Sequence, residues 1–204
     1  REFLIAASRQ SRSEMRSSMK IGILAVQGAF AEHEQMLEQL GAEYIELRKG
    51  EDVRQSYDGL ILPGGESTVQ GKLMRELDMF DTIQSQIKNG MPVLATCAGA
   101  ILLAQQLSND AATHLATLPA VVRRNAYGRQ LGSFSVDEQI EGIGTFPMRF
   151  IRAPYIEKVL DDTKVLAKVD GNIVMVENKN QLAMSFHPEL TSDTRIHEMF
   201  LRKI

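Results

Sequence analysis

The sequence predicts an α/β fold, in which helices flank a mainly parallel sheet and an antiparallel extension comes late in the chain. Two observations support this prediction. Up to Leu107, short apolar runs alternate with segments of helical period, and such alternation generates right-handed crossovers between parallel strands. After Leu107, short β-like runs follow one another through tight turns, which is the pattern of antiparallel hairpins.

The first half of the chain supplies strands and helices in alternation. Each strand is a short apolar run, and the helices carry apolar residues three or four positions apart. Helices end at glycine or Asn-Gly, which are typical stop signals. We predict strands at Lys20–Val26, Tyr44–Leu47, Gly59–Leu62 and Pro92–Thr96, and helices at Glu32–Leu40, from a Ser67 or Thr68 cap to about Leu77, at Phe80–Lys88 and at Ala98–Leu107.

The second half predicts the antiparallel extension and a closing helix. The turn Asp170-Gly171-Asn172 favours a hairpin, because such residues suit tight turns between strands. The β-like runs are Val121–Val122, Ser133–Val136, Met148–Ile151, Val165–Val169, Ile173–Val176 and Leu182–Phe186, and the helix covers about Ser192–Arg202.

Composition excludes several classes of protein. A chain of 204 residues corresponds to one domain. Its formal net charge of −3 argues against non-specific nucleic-acid binding, which needs clustered Lys and Arg. No apolar stretch approaches the roughly 18 residues of a membrane span. One cysteine excludes an intramolecular disulfide framework and a CxxC metal site, and it fits a reducing compartment, so we expect a cytoplasmic protein.

Residues 1–18 differ from the rest, because they hold four Arg, five Ser and no Lys. The apolar stretch Phe3–Ala7 is too short for the core of a secretory signal, and Glu2 and Glu14 disfavour an organellar transit peptide. We interpret residues 1–18 as an extension, a tag or an upstream translated segment. Residues 19–204 are then a single domain.

The segment around the cysteine indicates a nucleophile. The strand Pro92–Thr96 runs into Cys97, two small residues follow, and a helix begins. This is the pattern of a nucleophile elbow, a strained strand-to-helix turn that presents a reactive side chain at the sheet edge. The helix N-terminus would favour a thiolate, and the N–H of Ala98 would face a developing oxyanion. The alternative is a buried structural cysteine, the commoner role of a lone cysteine.

A histidine and a glutamate near the C-terminus could assist such a nucleophile. A strand reaches His187, and Glu189 follows two residues later. A nucleophilic cysteine needs a base, and that base needs an orienting group. Alone, a His-Pro-Glu tripeptide is a weak signal, and a surface histidine is the alternative. We interpret the other histidines as solvated or structural; they are His33, His114 and His197.

The loop Pro63-Gly64-Gly65 lies between a strand and a helix, so its backbone N–H groups can face an anion. It lacks the ending and the spacing of a phosphate-binding P-loop. We therefore interpret it as the second donor of an oxyanion hole. Because glycine changes φ region at low cost, the peptide between Gly64 and Gly65 is a candidate for a flip.

In this order, the glycine loop, the cysteine elbow and His-Pro-Glu resemble the class I, triad-type glutamine amidotransferase family. Within it, residues 19–204 are similar to the glutaminase subunits of pyridoxal 5′-phosphate synthase. The resemblance implies a flavodoxin-like, three-layer fold. The segments that carry it are Val26–Ala29, Leu60–Thr68, Thr96–Gly99, Arg124–Gln130, Phe150–Pro154 and Ser185–Thr191.

The resemblance implies a glutamine amidohydrolase that works through a cysteine thioester. Cys97 would attack the side-chain amide of L-glutamine, His187 would transfer protons, and Glu189 would orient His187. The N–H groups of Gly65 and Ala98 would form the oxyanion hole. The implied glutamine-binding residues are Gly65, Glu66, Ser67, Arg124, Ile151 and Arg152, and Gln27 lies in the segment implied to couple the site to a partner. Arg124 suits the α-carboxylate, because a guanidinium makes two charge-assisted bonds to such a group.

The implied partner is a synthase subunit with a dodecameric core, which would receive the ammonia and without which the glutaminase would be nearly inactive. No cofactor or metal is implied. The stretch Asn109–Arg123 matches the family least well. Four positions depart from the usual residue without removing a catalytic group; they are Ala25, Ala95, Ala116 and Tyr155.

Two alternatives remain open. The first is a stand-alone γ-glutamyl peptidase of the same fold, which would share the cysteine, histidine and glutamate but not the segment Arg124–Gln130. The second is a non-catalytic regulatory or binding homologue. The presence of Cys97, His187 and Glu189 together disfavours that second alternative.

Overall fold

The structure, a computed structural model, describes residues 2–127 and 132–204. Within these residues, ten strands form one central sheet and two more form a separate antiparallel pair. The strands are β1 (Lys20–Leu24), β2 (Glu43–Leu47), β3 (Gly59–Leu62), β4 (Val93–Thr96), β5 (Ala104–Leu107), β6 (Leu118–Arg123), β7 (Ser133–Ile140), β8 (Gly144–Ile151), β9 (Tyr155–Val159), β10 (Lys164–Val169), β11 (Asn172–Asn178) and β12 (Gln181–Met184). The helices are α1 (Glu2–Ser17), α2 (Phe30–Leu40), α3 (Gly50–Val53), α4 (Ser67–Glu76), α5 (Phe80–Lys88), α6 (Ala98–Leu103) and α7 (Arg195–Leu201), with a 3-10 helix at Pro188–Leu190.

The central sheet has the order β2-β1-β3-β4-β12-β11-β9-β6-β5, and β10 pairs with β11. Pairing is parallel from β2 to β12 and antiparallel from β12 through β11 and β9 to β6. The predicted parallel sheet with a late antiparallel extension is confirmed. Because β3, β4 and β12 are parallel neighbours, the residues that follow them meet at one sheet edge, where ligands bind in open α/β sheets.

Side chains of the sheet strands alternate between two apolar cores. Leu60 and Leu62 belong to the core that α4, α5 and α6 cover, whereas Ile61 belongs to the core that α2 and α7 cover. This alternation follows from the two-residue period of a strand. The sheet is therefore the middle of three layers and is buried on both faces, as parallel sheets usually are.

The predicted helix Ala98–Leu107 is wrong in its second half. α6 ends at Leu103, and Ala104–Leu107 forms β5, which pairs in parallel with β6. Pairing with a strand distant in sequence overrides the local helical preference of this run. The predicted cap at Ser67 or Thr68 is also wrong, because the N-cap of α4 is Glu66 and it makes no side-chain capping bond. The strand β9 and the short helix α3 were not predicted.

The hairpin predicted at residues 170–172 is confirmed. β10 and β11 pair antiparallel around a turn at Asp170 and Gly171, whose φ values are 50° and 81°. Two successive positive φ angles characterise the turn whose twist matches that of the flanking strands.

Helix α1 contacts the closing helix of the chain. Arg16 Nη2 lies 3.1 Å from Glu198 Oε1 on α7. The interpretation of residues 1–18 as a segment outside the domain stays a prediction. Among the helices that the structure describes, none has both the length and the apolar character needed to cross a membrane.

Candidate active site

Cys97 occupies a strained turn at the carboxyl edge of the sheet. It joins β4 to α6 with φ 50° and ψ −105°, a conformation that costs a residue with a side chain roughly 1–3 kcal/mol. The Cys97 N–H donates to the Met184 carbonyl oxygen at 2.8 Å. On the other side, α6 lies so close to β3 that a Cβ added at Gly99 would be 2.2 Å from the Leu62 oxygen. The turn has the geometry of a nucleophile elbow.

The imidazole of His187 lies between Cys97 and Glu189. His187 follows the end of β12 and precedes the 3-10 helix Pro188–Leu190. That tight helix brings Glu189 back to the ring, so that His187 Nδ1 and Glu189 Oε1 are 2.6 Å apart. The same ring and Cys97 line one cleft. All three residues are buried, which strengthens the electrostatic interactions between them.

Burial and charge act in opposite directions on His187. Burial lowers the pKa of its imidazole, but the hydrogen bonds and charges of Cys97 and Glu189 outweigh burial and raise the pKa of His187 to about 10. Burial raises the pKa of Glu189, against the opposing effect of His187. The raised pKa of His187 favours the protonated imidazole beside Glu189.

Two glycines place backbone directly beside these side chains. A Cβ added at Gly64 would lie 2.2 Å from His187 Cε1, and one added at Gly65 would lie 2.3 Å from Gln27 Oε1. Gln27 Oε1 also accepts the N–H of Glu66 at 2.8 Å. The glycine loop therefore packs on the imidazole and is bonded to the segment that contains Gln27.

The carbonyl orientation in the glycine loop is defined by a hydrogen bond. The Ala29 N–H donates to the Gly64 oxygen at 3.0 Å. Because the C=O and N–H of a trans peptide point in opposite directions, the Gly65 N–H points away from Ala29. Within residues 2–127 and 132–204, neither this N–H nor that of Ala98 donates a hydrogen bond to protein. Both donors remain available to a ligand.

A cleft of ≈ 770 Å³ opens onto Cys97. Every predicted site residue except Glu189 lines it; they are Gln27, Gly65, Glu66, Ser67, Cys97, Ala98, Arg124, Ile151, Arg152 and His187. The Glu189 side chain has no exposed surface, because it lies behind the His187 ring. The cleft therefore brings together side chains from the sheet edge and from the separate strand pair.

The guanidinium of Arg124 already has partners. Arg124 Nη1 donates to Asp110 Oδ2 at 2.9 Å, and Nη2 donates to Thr68 Oγ1 at 3.2 Å. Asp110 belongs to the stretch Asn109–Arg123, which matches the family least well. The Asp110 carboxylate thus binds the Arg124 guanidinium, which the sequence predicts to bind the carboxylate of the substrate.

The end of β8 closes the cleft near the sulfur. The Ile151 oxygen lies 3.8 Å from Cys97 Sγ. Arg152, with φ 44°, donates its N–H to the Gly132 oxygen at 2.6 Å. This turn brings the backbone of residues 151 and 152 to the cleft.

One contact of the site involves a residue without a predicted role there. His33, interpreted as solvated or structural, is fully buried on α2, and its Nε2 lies 3.6 Å from Glu189 Oε2. The spacing of His33 from Met36, Leu37 and Leu40, which are also buried, could have indicated burial, because residues three, four and seven apart share a helix face.

Some of the predicted signature cannot be placed. Gly128, Arg129 and Gln130, from the segment Arg124–Gln130, lie outside the described residues. In the described part of the chain, no group of three or more His, Cys, Asp or Glu side chains is arranged to hold a metal ion.

The fold and the site together define a class of protein: an α/β domain that presents a cysteine, beside a paired histidine and glutamate, at the carboxyl edge of a parallel sheet. Comparison with known sequences makes the class more specific. The chain belongs to the SNO glutamine amidotransferase family, whose pattern matches residues 23–204.

Individual relatives agree with this membership. The chain is 63% identical over 186 residues to the pyridoxal 5′-phosphate synthase subunit PdxT of Desulfitobacterium hafniense (strain DSM 10664 / DCB-2), covering 91% of this chain and 94% of that protein. It is 53% identical over 186 residues to PdxT of Streptococcus pneumoniae (strain CGSP14), covering 90% and 96%. A crystal structure of a glutamine amidotransferase superimposes with a TM-score of 0.85 at 43% identity, covering 90% of this chain and 97% of that chain.

Proposed function

We propose that this chain is a glutaminase that hydrolyses L-glutamine to L-glutamate and ammonia, and that it supplies the ammonia to a synthase subunit that makes pyridoxal 5′-phosphate. The observation that carries the proposal is the placement of Cys97, held in a strained turn, in one cleft with an imidazole that Glu189 binds. Membership of the glutamine amidotransferase family supports the substrate. The name of the relatives supports the destination of the ammonia.

The first half of the reaction forms a thioester. The Cys97 thiolate attacks the side-chain amide carbon of glutamine, and the carbonyl oxygen becomes an oxyanion. His187 then gives the proton on Nε2 to the amide nitrogen, because Nδ1 is bound to Glu189. The carbon–nitrogen bond breaks, ammonia leaves, and a γ-glutamyl thioester and a neutral imidazole remain.

The second half consumes the thioester with water. The neutral His187 takes a proton from a water molecule as its oxygen attacks the thioester carbon. The carbon–sulfur bond breaks and regenerates the Cys97 thiolate beside an imidazolium. The new carboxylic acid loses its proton to solvent, and glutamate leaves.

The oxyanion in both halves has two backbone donors. Gly65 and Ala98 line the same cleft as Cys97, and their N–H groups have no protein acceptor within the described ranges of the chain. Backbone donors that face the developing charge stabilise the oxyanion, and one such donor is worth about 10²–10³-fold in rate.

Glutamine is held on the side of the cleft that Arg124 lines. Its α-carboxylate takes the place of Asp110 on the guanidinium, since the two groups have the same charge and the same geometry. The segment Gly65–Ser67 and the backbone and side chain of residues 151 and 152 contact the rest of the substrate.

The partner is a synthase subunit with a dodecameric core, and its docking would act through the segment that contains Gln27. Gln27 and Ala29 each bond the glycine loop, so a displacement of residues 27–29 would move the Gly64–Gly65 peptide with them. Through this coupling, docking of the synthase would adjust the donor at Gly65 and raise the activity. A single cysteine suits the reducing conditions of the cytoplasm, where we place the complex.

Ammonia release from glutamine tests the proposal directly. It is measured with and without the synthase subunit, for the wild type and for Cys97→Ala. We expect release that depends strongly on the synthase subunit and that Cys97→Ala abolishes. High release by the chain alone, unchanged by the partner, would overturn the subunit role. Full release by Cys97→Ala would overturn the mechanism.

A further inference from the structure

A pair of buried histidines lies behind Glu189. His33 on α2 and His197 on α7 are fully buried, and His33 Nδ1 lies 2.8 Å from His197 Nε2. The other nitrogen of His33, Nε2, lies 3.3 Å from Thr96 Oγ1 and 3.6 Å from Glu189 Oε2. One ring thus contacts the residue that precedes Cys97 and the carboxylate that binds His187.

The free oxygen of Glu189 needs a donor. Oε1 is bound to the His187 ring at 2.6 Å, whereas Oε2 has no hydrogen-bond partner among residues 2–127 and 132–204. A buried carboxylate oxygen without a donor is costly. His33 Nε2 faces this oxygen, slightly beyond hydrogen-bond distance, and a small shift of either side chain would form the bond.

Both histidine rings are neutral. Burial lowers the pKa of His197 to about 4. Burial, together with His197 and His187, also holds the pKa of His33 well below the ordinary value. One proton therefore lies between the two rings, and its position decides what His33 presents to Glu189.

The position of that proton follows from the groups around it. If the proton were on His33 Nδ1, the lone pair of His33 Nε2 would face the Glu189 carboxylate. The other ring, His197, would then carry its own N–H at Nδ1, a buried atom without a partner in the described chain. If it is on His197 Nε2, His33 Nε2–H points at Thr96 and Glu189, and His197 buries only an unpaired acceptor. Orphaned buried donors are the rarer of the two, so the second arrangement is the stable one.

We propose that His33 is a positioning residue for the glutaminase reaction: its Nε2–H fixes the free oxygen of Glu189, and through Glu189 it fixes the direction in which His187 faces the Cys97 sulfur. His197 sets the tautomer that makes this possible. The inference rests on the proposed function and adds to it a residue outside the cleft. Because His33 is a neutral donor, it does not compete with the imidazolium for the charge of the carboxylate.

Two amide substitutions separate this role from simple packing. In His33→Gln the side-chain nitrogen replaces Nε2, whereas in His33→Asn it replaces Nδ1 and does not reach Glu189. We expect His33→Gln to keep kcat within about threefold of the wild type in complex with the synthase subunit. We expect His33→Asn to lower kcat by about 10-fold or more and to leave KM within about twofold, because His33 does not contact the cleft. Equal kcat in the two variants, or a change confined to KM, would overturn the proposal.

Alkylation of the thiol provides a readout that needs no glutamine. Cys97 is the single cysteine of the chain, so its rate of reaction with iodoacetamide reports the reactivity of the sulfur beside the His187 ring. We expect His33→Asn to react more slowly than His33→Gln at neutral pH. If the wild-type complex releases no ammonia, the proposed function fails, yet a difference in alkylation still supports the positioning role. Equal alkylation rates overturn that role whatever the activity.

Thermal unfolding of each variant shows whether it is folded. If His33→Asn does not fold, His197→Leu replaces it, because that change leaves His33 in place and removes the donor that fixes its tautomer. It should lower both kcat and the alkylation rate. Unchanged rates in His197→Leu would overturn the proposal.

Discussion

The backbone strain at Cys97 predicts that removal of its Cβ stabilises the protein. At φ 50° and ψ −105°, a residue with a side chain is destabilised by roughly 1–3 kcal/mol, whereas glycine adopts positive φ without this cost. Cys97→Gly is therefore compared with Cys97→Ala. Both variants lose the sulfur, and only the alanine variant keeps the Cβ and its strain.

The magnitude of the difference follows from two opposing effects. Relief of strain favours Cys97→Gly by roughly 1–3 kcal/mol. The greater freedom of glycine in the unfolded chain opposes this by about 0.5–1 kcal/mol, which leaves about 0–2.5 kcal/mol in favour of Cys97→Gly. For a chain of this length, each kcal/mol shifts Tm by about 2–4 °C. Cys97→Gly should therefore melt up to about 10 °C above Cys97→Ala.

Differential scanning calorimetry of the two variants at one pH measures this difference, and urea unfolding checks it at constant temperature. A lower Tm for Cys97→Gly would refute the strained turn. Neither variant should release ammonia, so the pair separates the conformational requirement at this position from the chemical one.

Four further predictions concern the residues around the sulfur. Arg124→Ala should raise KM for glutamine by about 10–100-fold through loss of charge-assisted bonds, and an unchanged KM would contradict the carboxylate role. Gly64→Ala should lower kcat by at least about 10-fold, because its Cβ would lie 2.2 Å from the His187 ring; full activity would contradict that contact. Because folding raises the pKa of His187 from 6.5 to about 10, the protonated ring stabilises the fold. This contribution is complete below pH 6.5 and is lost as pH rises towards 10. The unfolding free energies of wild type and His187→Gln should converge over that range, and a constant difference in urea titrations would contradict the shift. The pKa of His197, lowered to about 4, makes stability fall as pH drops from 6.5 towards 4, so His197→Leu should lose less stability there than the wild type; parallel curves would argue against it.

The parallel half of the fold could be predicted because its strands are short apolar runs closed by turn residues. The bounds predicted for β3 and α5 are those of the structure. The run Ala104–Leu107 could not be predicted, because its composition continues that of the preceding helix and its strand conformation comes from pairing with β6. Such pairing depends on contacts between distant segments, and a local pattern does not contain them.

The same distinction holds at the site. The turn around Cys97 and the short link from His187 to Glu189 are local features, so the sequence alone could indicate them. The contact of Asp110 with Arg124 and the contact of His33 with Glu189 join segments far apart in the chain. The fold creates both contacts, and a single sequence offers only the burial pattern of a helix face as a signal.

The central claim is that Cys97 forms a thioester with glutamine. Mass spectrometry of the intact chain, acid-quenched during turnover with glutamine and the synthase subunit, tests it most directly. The mechanism predicts an added mass of one γ-glutamyl group, located on Cys97 by peptide mapping and missing in Cys97→Ala. A γ-glutamyl group on any other residue, or ammonia release by Cys97→Ala at the wild-type rate, would contradict it.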